Sequence, residues 1–176
     1  RPVWEATGKV DGYVSLEVAP RLAHDADATV AEAKRLAGQV GRDNLLVKVP
    51  GTPAGVEAFE RLTSEGIRVN VTLLFSVEHC ARSFAAYLRG ARAWLSAGGD
   101  PRRLKAVASL FLSRVDTLAD RRLEALGTEA ALALRGRTAV AMARLVYRHY
   151  REQFHGPAFA DLRARAAVVQ LPGRQA

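Results

Sequence analysis

A lysine inside an apolar run needs a reason, because an unpartnered buried charge is costly to take out of water. Lys48 occupies such a run, Leu45-Leu46-Val47-Lys48-Val49, and is expected to end its strand. Three further runs also carry polar residues. Glu17 lies near the end of 13–18, Asn70 and Thr72 stand two apart in 67–75, and Ser109 interrupts 104–112. Residues two apart on a strand share a face, so Asn70 and Thr72 point one way while Val69, Val71 and Leu73 point the other. Lysine is scarce, Lys9, Lys34, Lys48 and Lys105 being all there are, which gives each position weight. Desolvation or a neighbouring cation leaves a lysine with some free amine at neutral pH, and that amine attacks a ketone to form a Schiff base. The iminium then draws the electrons of an adjacent carbon–carbon bond. Losing water from the carbinolamine needs a general acid/base, for which Glu17 is the candidate, with a water held by Thr72. A salt-bridged structural lysine accounts for Val47-Lys48-Val49 equally well. Thr72 and Ser109 also read as ordinary strand residues bonded to backbone.

The elements that would position these side chains follow from periodicity. The four runs are rich in Val, Leu and Ile, which suits strands buried on both faces of a parallel sheet. Helical patterns lie between them. One covers 27–40 with Asp27 or Thr29 as its cap, and a second covers 55–64 and stops at Gly66. A third, capped by Ser76, runs towards Ala97 and ends in Gly98-Gly99-Asp100-Pro101. Beyond the fourth run, 116–126 and 129–154 read as helices, the second long and amphipathic. Gly156-Pro157 breaks it, one more helix is expected over 158–167, and Val168-Val169-Gln170-Leu171 reads as another strand beginning. The order βαβαβαβ gives an α/β fold with right-handed crossovers, which a doubly wound sheet and a barrel satisfy alike.

Composition narrows the class. A chain of 176 residues supports one domain with a core, and 49% hydrophobic with 25% charged residues excludes disorder, collagen and coiled coil. No apolar run approaches the roughly 20 residues of a membrane helix, and no secretory leader pattern opens the chain. A soluble cytoplasmic protein with no membrane partner is therefore expected. The formal charge of +8 comes mostly from arginine. Arg121, Arg122, Arg135, Arg137, Arg144, Arg148, Arg151, Arg163 and Arg165 are spread along helices without interleaved aromatics, which reads as a solvated face and not a nucleic-acid groove. A cationic balance also serves small anionic substrates. Cys80, the single cysteine, excludes an internal disulfide and reads as packing among Val77, Ala81 and Phe84.

Four stretches, in order and in register, resemble transaldolase, above all its bacterial, actinobacterial-type members. They are Val14-Ser15-Leu16-Glu17-Val18, Leu46-Val47-Lys48-Val49-Pro50-Gly51-Thr52, Asn70-Val71-Thr72-Leu73-Leu74-Phe75-Ser76 and Ala108-Ser109-Leu110-Phe111-Leu112-Ser113-Arg114-Val115-Asp116. The resemblance runs to about Phe159. It implies a (β/α)₈ TIM barrel of class I aldolase type, acting in the pentose phosphate pathway without metal or organic cofactor. The reaction implied moves a dihydroxyacetone unit from a ketose phosphate to an aldose phosphate. Lys48 would be the Schiff-base lysine, and Glu17 and Thr72 would hold the water of carbinolamine chemistry. Asn70 and Ser109 would bind the donor's hydroxyls, and Arg114 its phosphate.

Some positions depart from the family. Ala19 replaces an aspartate that usually follows the Glu-Val pair, and 170–176 does not resemble the serine- and arginine-bearing strand due there. Residues 1–176 would supply barrel strands three to six and lack the first two and last two. The strand bearing the aspartate of carbon–carbon cleavage is among those absent, and Asp11 and Asp116 do not match its motif. An incomplete barrel has open sheet edges, which point to a homo-oligomer and to little activity alone. The alternatives are another class I Schiff-base aldolase with a smaller phosphorylated donor, and a non-catalytic truncated remnant.

Overall fold

A computed structural model describes residues 2–160 and 162. Four strands form one parallel sheet: β1 (Val14–Glu17), β2 (Leu45–Pro50), β3 (Val69–Leu74) and β4 (Ala106–Leu110). Helix α1 (Pro2–Ala6) precedes them, and α2 (Ala26–Val40), α3 (Pro53–Ser64) and α4 (Val77–Ser96) connect them. After β4 come α5 (Ser113–Leu126), α6 (Glu129–Leu132) and α7 (Thr138–His155). The spatial order is β1-β2-β3-β4, the order of the sequence. A doubly wound sheet reverses direction at a switch point. Among the described residues no reversal occurs, so the choice left open by periodicity falls to part of a (β/α)₈ barrel wall.

One face of the sheet makes the core. Val47, Val49, Val69, Val71 and Leu74 are 0–1% exposed and pack with Ala58, Phe59 and Leu62 of α3 and Ala86, Tyr87 and Ala91 of α4. Gly90 lets α3 and α4 approach closely, since a Cβ there would lie 2.5 Å from the Glu60 carbonyl oxygen. Phe154 of α7 meets Phe84 edge-on at 5.4 Å, which anchors the last helix to α4. Cys80 is buried in this core, as packing requires.

Several local expectations are corrected. The cap of α2 is Asp25, whose carboxylate accepts from the Ala28 N–H at 2.9 Å, and not Asp27 or Thr29. Thr29 is buried and donates to the Leu22 carbonyl instead. Helix α3 begins at Pro53, with Thr52 accepting from Gly55 N–H. The expected long helix 129–154 is two helices, because Gly136 adopts φ 68° between them. Lys48 lies inside β2, not at its end. The strict alternation expected in β3 fails at Leu73, which has φ 60° where register shifts between Val71 and Leu74. Leu74, not Leu73, therefore joins Val69 and Val71 at 0% exposure. Residues 157–159 form one 3-10 turn and Ala160 and Leu162 are helical, whereas Asp161, residues 163–167 with Arg163 and Arg165, and the strand at Val168 lie outside the described residues.

Candidate active site

The sheet's other face collects the polar residues, and register explains how. Glu17 of β1 pairs with Lys48 of β2, and Lys48 pairs with Asn70 of β3. Asn70 pairs with Val107 of β4, so Ser109, two residues on, shares that face. Four parallel strands thus contribute side chains to one ladder.

Lys48 Nζ lies 3.4 Å from Glu17 Oε2, with the side chains 27% and 48% exposed. A pair this open contributes about 0–1 kcal/mol. The ion pair that the structural reading of Lys48 requires is thus present, at a small energetic value. Asn70 is held from both sides: its amide Nδ2 donates to Ser15 Oγ at 3.1 Å, and Ser109 Oγ donates to its Oδ1 at 2.8 Å. Ser15 is a member of this network that no role was expected for. The signal was its place two residues before Glu17, on the same face of β1.

Thr72 shares the parity of Asn70 and is 1% exposed, yet its Oγ1 is buried without a hydrogen-bond partner among the described residues. Its β2 register partner is Pro50, and the bulge follows it directly. The turn after β2 closes over this point. Gly51 N–H donates to the Thr72 carbonyl at 2.7 Å, and a Cβ on Gly51 would lie 2.4 Å from Leu74 Cδ2. Thr52 then caps α3 and donates to the Ala23 carbonyl, tying the turn to the loop after β1.

Arg114, in the first turn of α5, is exposed on the same C-terminal side of the sheet. Its guanidinium sits 4.9 Å above the Phe111 ring, which meets Phe75 at 5.3 Å. Stacking orients the guanidinium while leaving its N–H fork for an anion. No contact between Arg114 and the Glu17–Lys48 pair or the Asn70 network occurs among the described residues.

Two acids have local duties. Asp11 accepts from Gly12 N–H at 2.6 Å, and Asp116 accepts from Ala139 N–H at 2.7 Å, in the first turn of α7. A cavity of about 210 Å³ beneath Asn70 is lined by Tyr13, Ser15, Lys105 and Val107 among others. A larger apolar one, about 450 Å³, lies behind β4 against α4 and α7 and contains none of the ladder residues. Among the described residues no group of three or more His, Cys, Asp or Glu is placed to hold a metal ion. No described helix is long and apolar enough to cross a membrane.

Comparison with known proteins gives a consistent family. The family described as Transaldolase/Fructose-6-phosphate aldolase matches residues 3–170. The chain is similar to a transaldolase of Thiobacillus denitrificans, 60% identical over 170 residues, covering 97% of this chain and 47% of the relative. A Mycobacterium ulcerans transaldolase is 51% identical over 172 residues, 97% of this chain and 46% of the relative. One from Acidothermus cellulolyticus is 49% identical over 172 residues, covering 98% and 46% respectively. The chain spans about half the length of the curated relatives it matches.

Proposed function

The chain belongs to the transaldolase/fructose-6-phosphate aldolase family, and on that premise we propose that it carries the Schiff-base chemistry of a transaldolase. The reaction is transfer of a dihydroxyacetone unit from a ketose phosphate to an aldose phosphate. The observation that carries this reading is the ladder on the inner face of the sheet, with Lys48 Nζ 3.4 Å from Glu17 Oε2 and flanked in register by Asn70.

The roles are those the resemblance implies, and the ladder's geometry supports them. The Lys48 amine attacks the ketose carbonyl carbon, and the carbonyl oxygen takes a proton to give a carbinolamine. Glu17 delivers a second proton to that hydroxyl, directly or through a water beside Thr72, and water leaves. The protonated imine that remains accepts the electron pair of the neighbouring carbon–carbon bond as the hydroxyl on the departing carbon gives its proton to a base, the part the resemblance gives to the aspartate of the family's first strand; this releases the first aldose phosphate and leaves an enamine on Lys48. Attack of the enamine carbon on the second aldose, then hydrolysis, regenerates the amine. Asn70, fixed between Ser15 and Ser109, meets donor hydroxyls with a preset amide. Ser109 adds a second hydroxyl contact. Arg114 receives the phosphate.

In this reading residues 1–176 supply barrel strands three to six, phosphorylated sugars are the small-molecule partners, and the setting is the cytoplasmic pentose phosphate pathway. Neither nucleic acid nor membrane has a part. Borohydride reduction in the presence of a ketose phosphate should attach the sugar carbon skeleton to Lys48, located by peptide mass spectrometry. Labelling at Lys9, Lys34 or Lys105, or undiminished trapping in Lys48→Ala, overturns the assignment.

A further inference from the structure

The opposite end of the sheet carries a second concentration of charge that the chemistry above does not use. The connections entering β1 to β4 converge there on a cavity of about 410 Å³. That size falls within the roughly 300–1,000 Å³ of small-molecule pockets. Its walls hold five cationic side chains, Lys9, Arg68, Arg102, Arg103 and Lys105, against two carboxylates, Asp43 and Asp100. Both carboxylates are engaged: Asp100 with Arg102 at 3.0 Å and Asp43 with Arg68 at 3.6 Å. Arg103 bonds only the Gly66 carbonyl, and Lys9 lies over the Trp4 ring at 5.0 Å. Lys105, part-buried, has no acidic partner among the described residues.

Arg68 Nε and Trp4 Nε1 are buried N–H donors without partners among the described residues, and both side chains line the cavity. Unmet donors beside surplus cations are an arrangement that an oxyanion completes, since it brings acceptors and charge together. A solvated basic face would instead hold its guanidiniums open to water, whereas the Arg68 side chain is only 12% exposed.

We infer that this cavity at the N-terminal end of the strands is an anion site for a phosphate group, separate from the Lys48 ladder. Burial and the nearby Arg68 charge hold Lys105 below the ordinary lysine range, a cost that a bound anion would relieve. Phosphate suits the walls because Arg68, Arg102 and Lys105 approach from two connections and offer several donors to one centre. Through Tyr13 and Lys105 the site adjoins the smaller cavity beneath Asn70, so occupancy there borders the inner face of the sheet.

The protein carries its own reporter. The sequence has two tryptophans. Trp4 lines the cavity, and Trp94 Nε1 donates to the Asp100 carbonyl in the neighbouring loop. Inorganic phosphate titrated at constant ionic strength, with tryptophan emission as readout, should give a saturable change that chloride does not. Lys105→Met should weaken the apparent affinity about tenfold, the scale of one charge-assisted hydrogen bond. Arg102→Ala should weaken it about threefold, because that side chain is 85% exposed and its folding is not at risk. Arg114→Ala should leave the titration unchanged. A sugar monophosphate run in parallel separates a phosphorylated metabolite, which binds tighter than the ion, from phosphate alone. A change reproduced by chloride, unmoved in both Arg102→Ala and Lys105→Met, or lost in Arg114→Ala would overturn the site.

Discussion

Thr72→Val is expected to make the protein more stable and chemically poorer at once. Thr72 is 1% exposed and its Oγ1 has no partner among the described residues, so the folded state bears the desolvation of a hydroxyl with nothing returned. Relieving an unsatisfied buried group of this kind is worth about 1–3 kcal/mol. The methyl that replaces it adds up to about 0.8 kcal/mol of apolar burial. A net gain of about 2 kcal/mol corresponds to about 4–8 °C in Tm for a chain of this size. Urea unfolding should show a higher midpoint at unchanged slope. In the proposed mechanism a water takes its place beside Thr72 only with the carbinolamine, so Thr72→Val should slow borohydride trapping at Lys48 about tenfold, part of the roughly hundredfold or more that acid–base groups supply. Thr72→Ser separates the two effects, because it keeps the hydroxyl and should keep the trapping rate. Loss of stability in Thr72→Val would mean that Oγ1 has a partner in solution. Unchanged trapping would remove Thr72 from the chemistry.

Glu17→Gln should lower turnover about a hundredfold while substrate binding suffers less, measured as kcat against KM; an unchanged kcat returns Glu17 to a structural role. Gly55→Ala should cost about 1–3 kcal/mol in denaturant unfolding, because a Cβ would lie 1.9 Å from the Pro50 carbonyl oxygen; a neutral result would show that this turn can open. Burial pushes the Cys80 thiol from 9.0 up to about 11, so its contribution is complete below pH 9 and is lost as pH rises from 9 to about 11. The loss is at most about 2–3 kcal/mol, and Cys80→Ala should show a flatter stability profile over that window. A polypeptide of residues 1–176 alone should associate, since Val14 and Leu16 of the outer strand β1 are 60% and 37% exposed; a monomer with full transfer activity on size-exclusion and assay would refute this.

The strands and their polar residues were legible because both signals are local. An apolar run shows a buried strand, and parity within it assigns Asn70 and Thr72 to one face. Which strand neighbours which is not local. Only the observed register shows Glu17 opposite Lys48 and Lys48 opposite Asn70. Ser15 was missed for that reason: its value comes from Asn70, fifty-five positions away. The bulge at Leu73 was hidden because a leucine at φ 60° leaves no trace in composition, unlike a glycine. The break before α7 did have its signal, Gly136, but the surrounding apolar periodicity outweighed it. The cation cavity was invisible for a related reason. Its residues come from four connections, each of which alone reads as an ordinary charged loop.

The register ladder also bears on how such a protein changes over generations. Glu17, Lys48, Asn70 and Ser109 are all strand residues, whereas Arg114 belongs to the first turn of the helix that follows. In the proposed roles, bond-making groups are thus built into hydrogen-bonded backbone, and the anion contact is carried by a segment that only abuts it. Insertions or exchanges in the segments after the strands can re-tune which phosphorylated donor is accepted without moving the lysine. A shift of one residue in any strand would instead turn its polar member into the valine-packed core. On the proposed roles, substrate preference is free to drift, while the covalent step is inherited as a block.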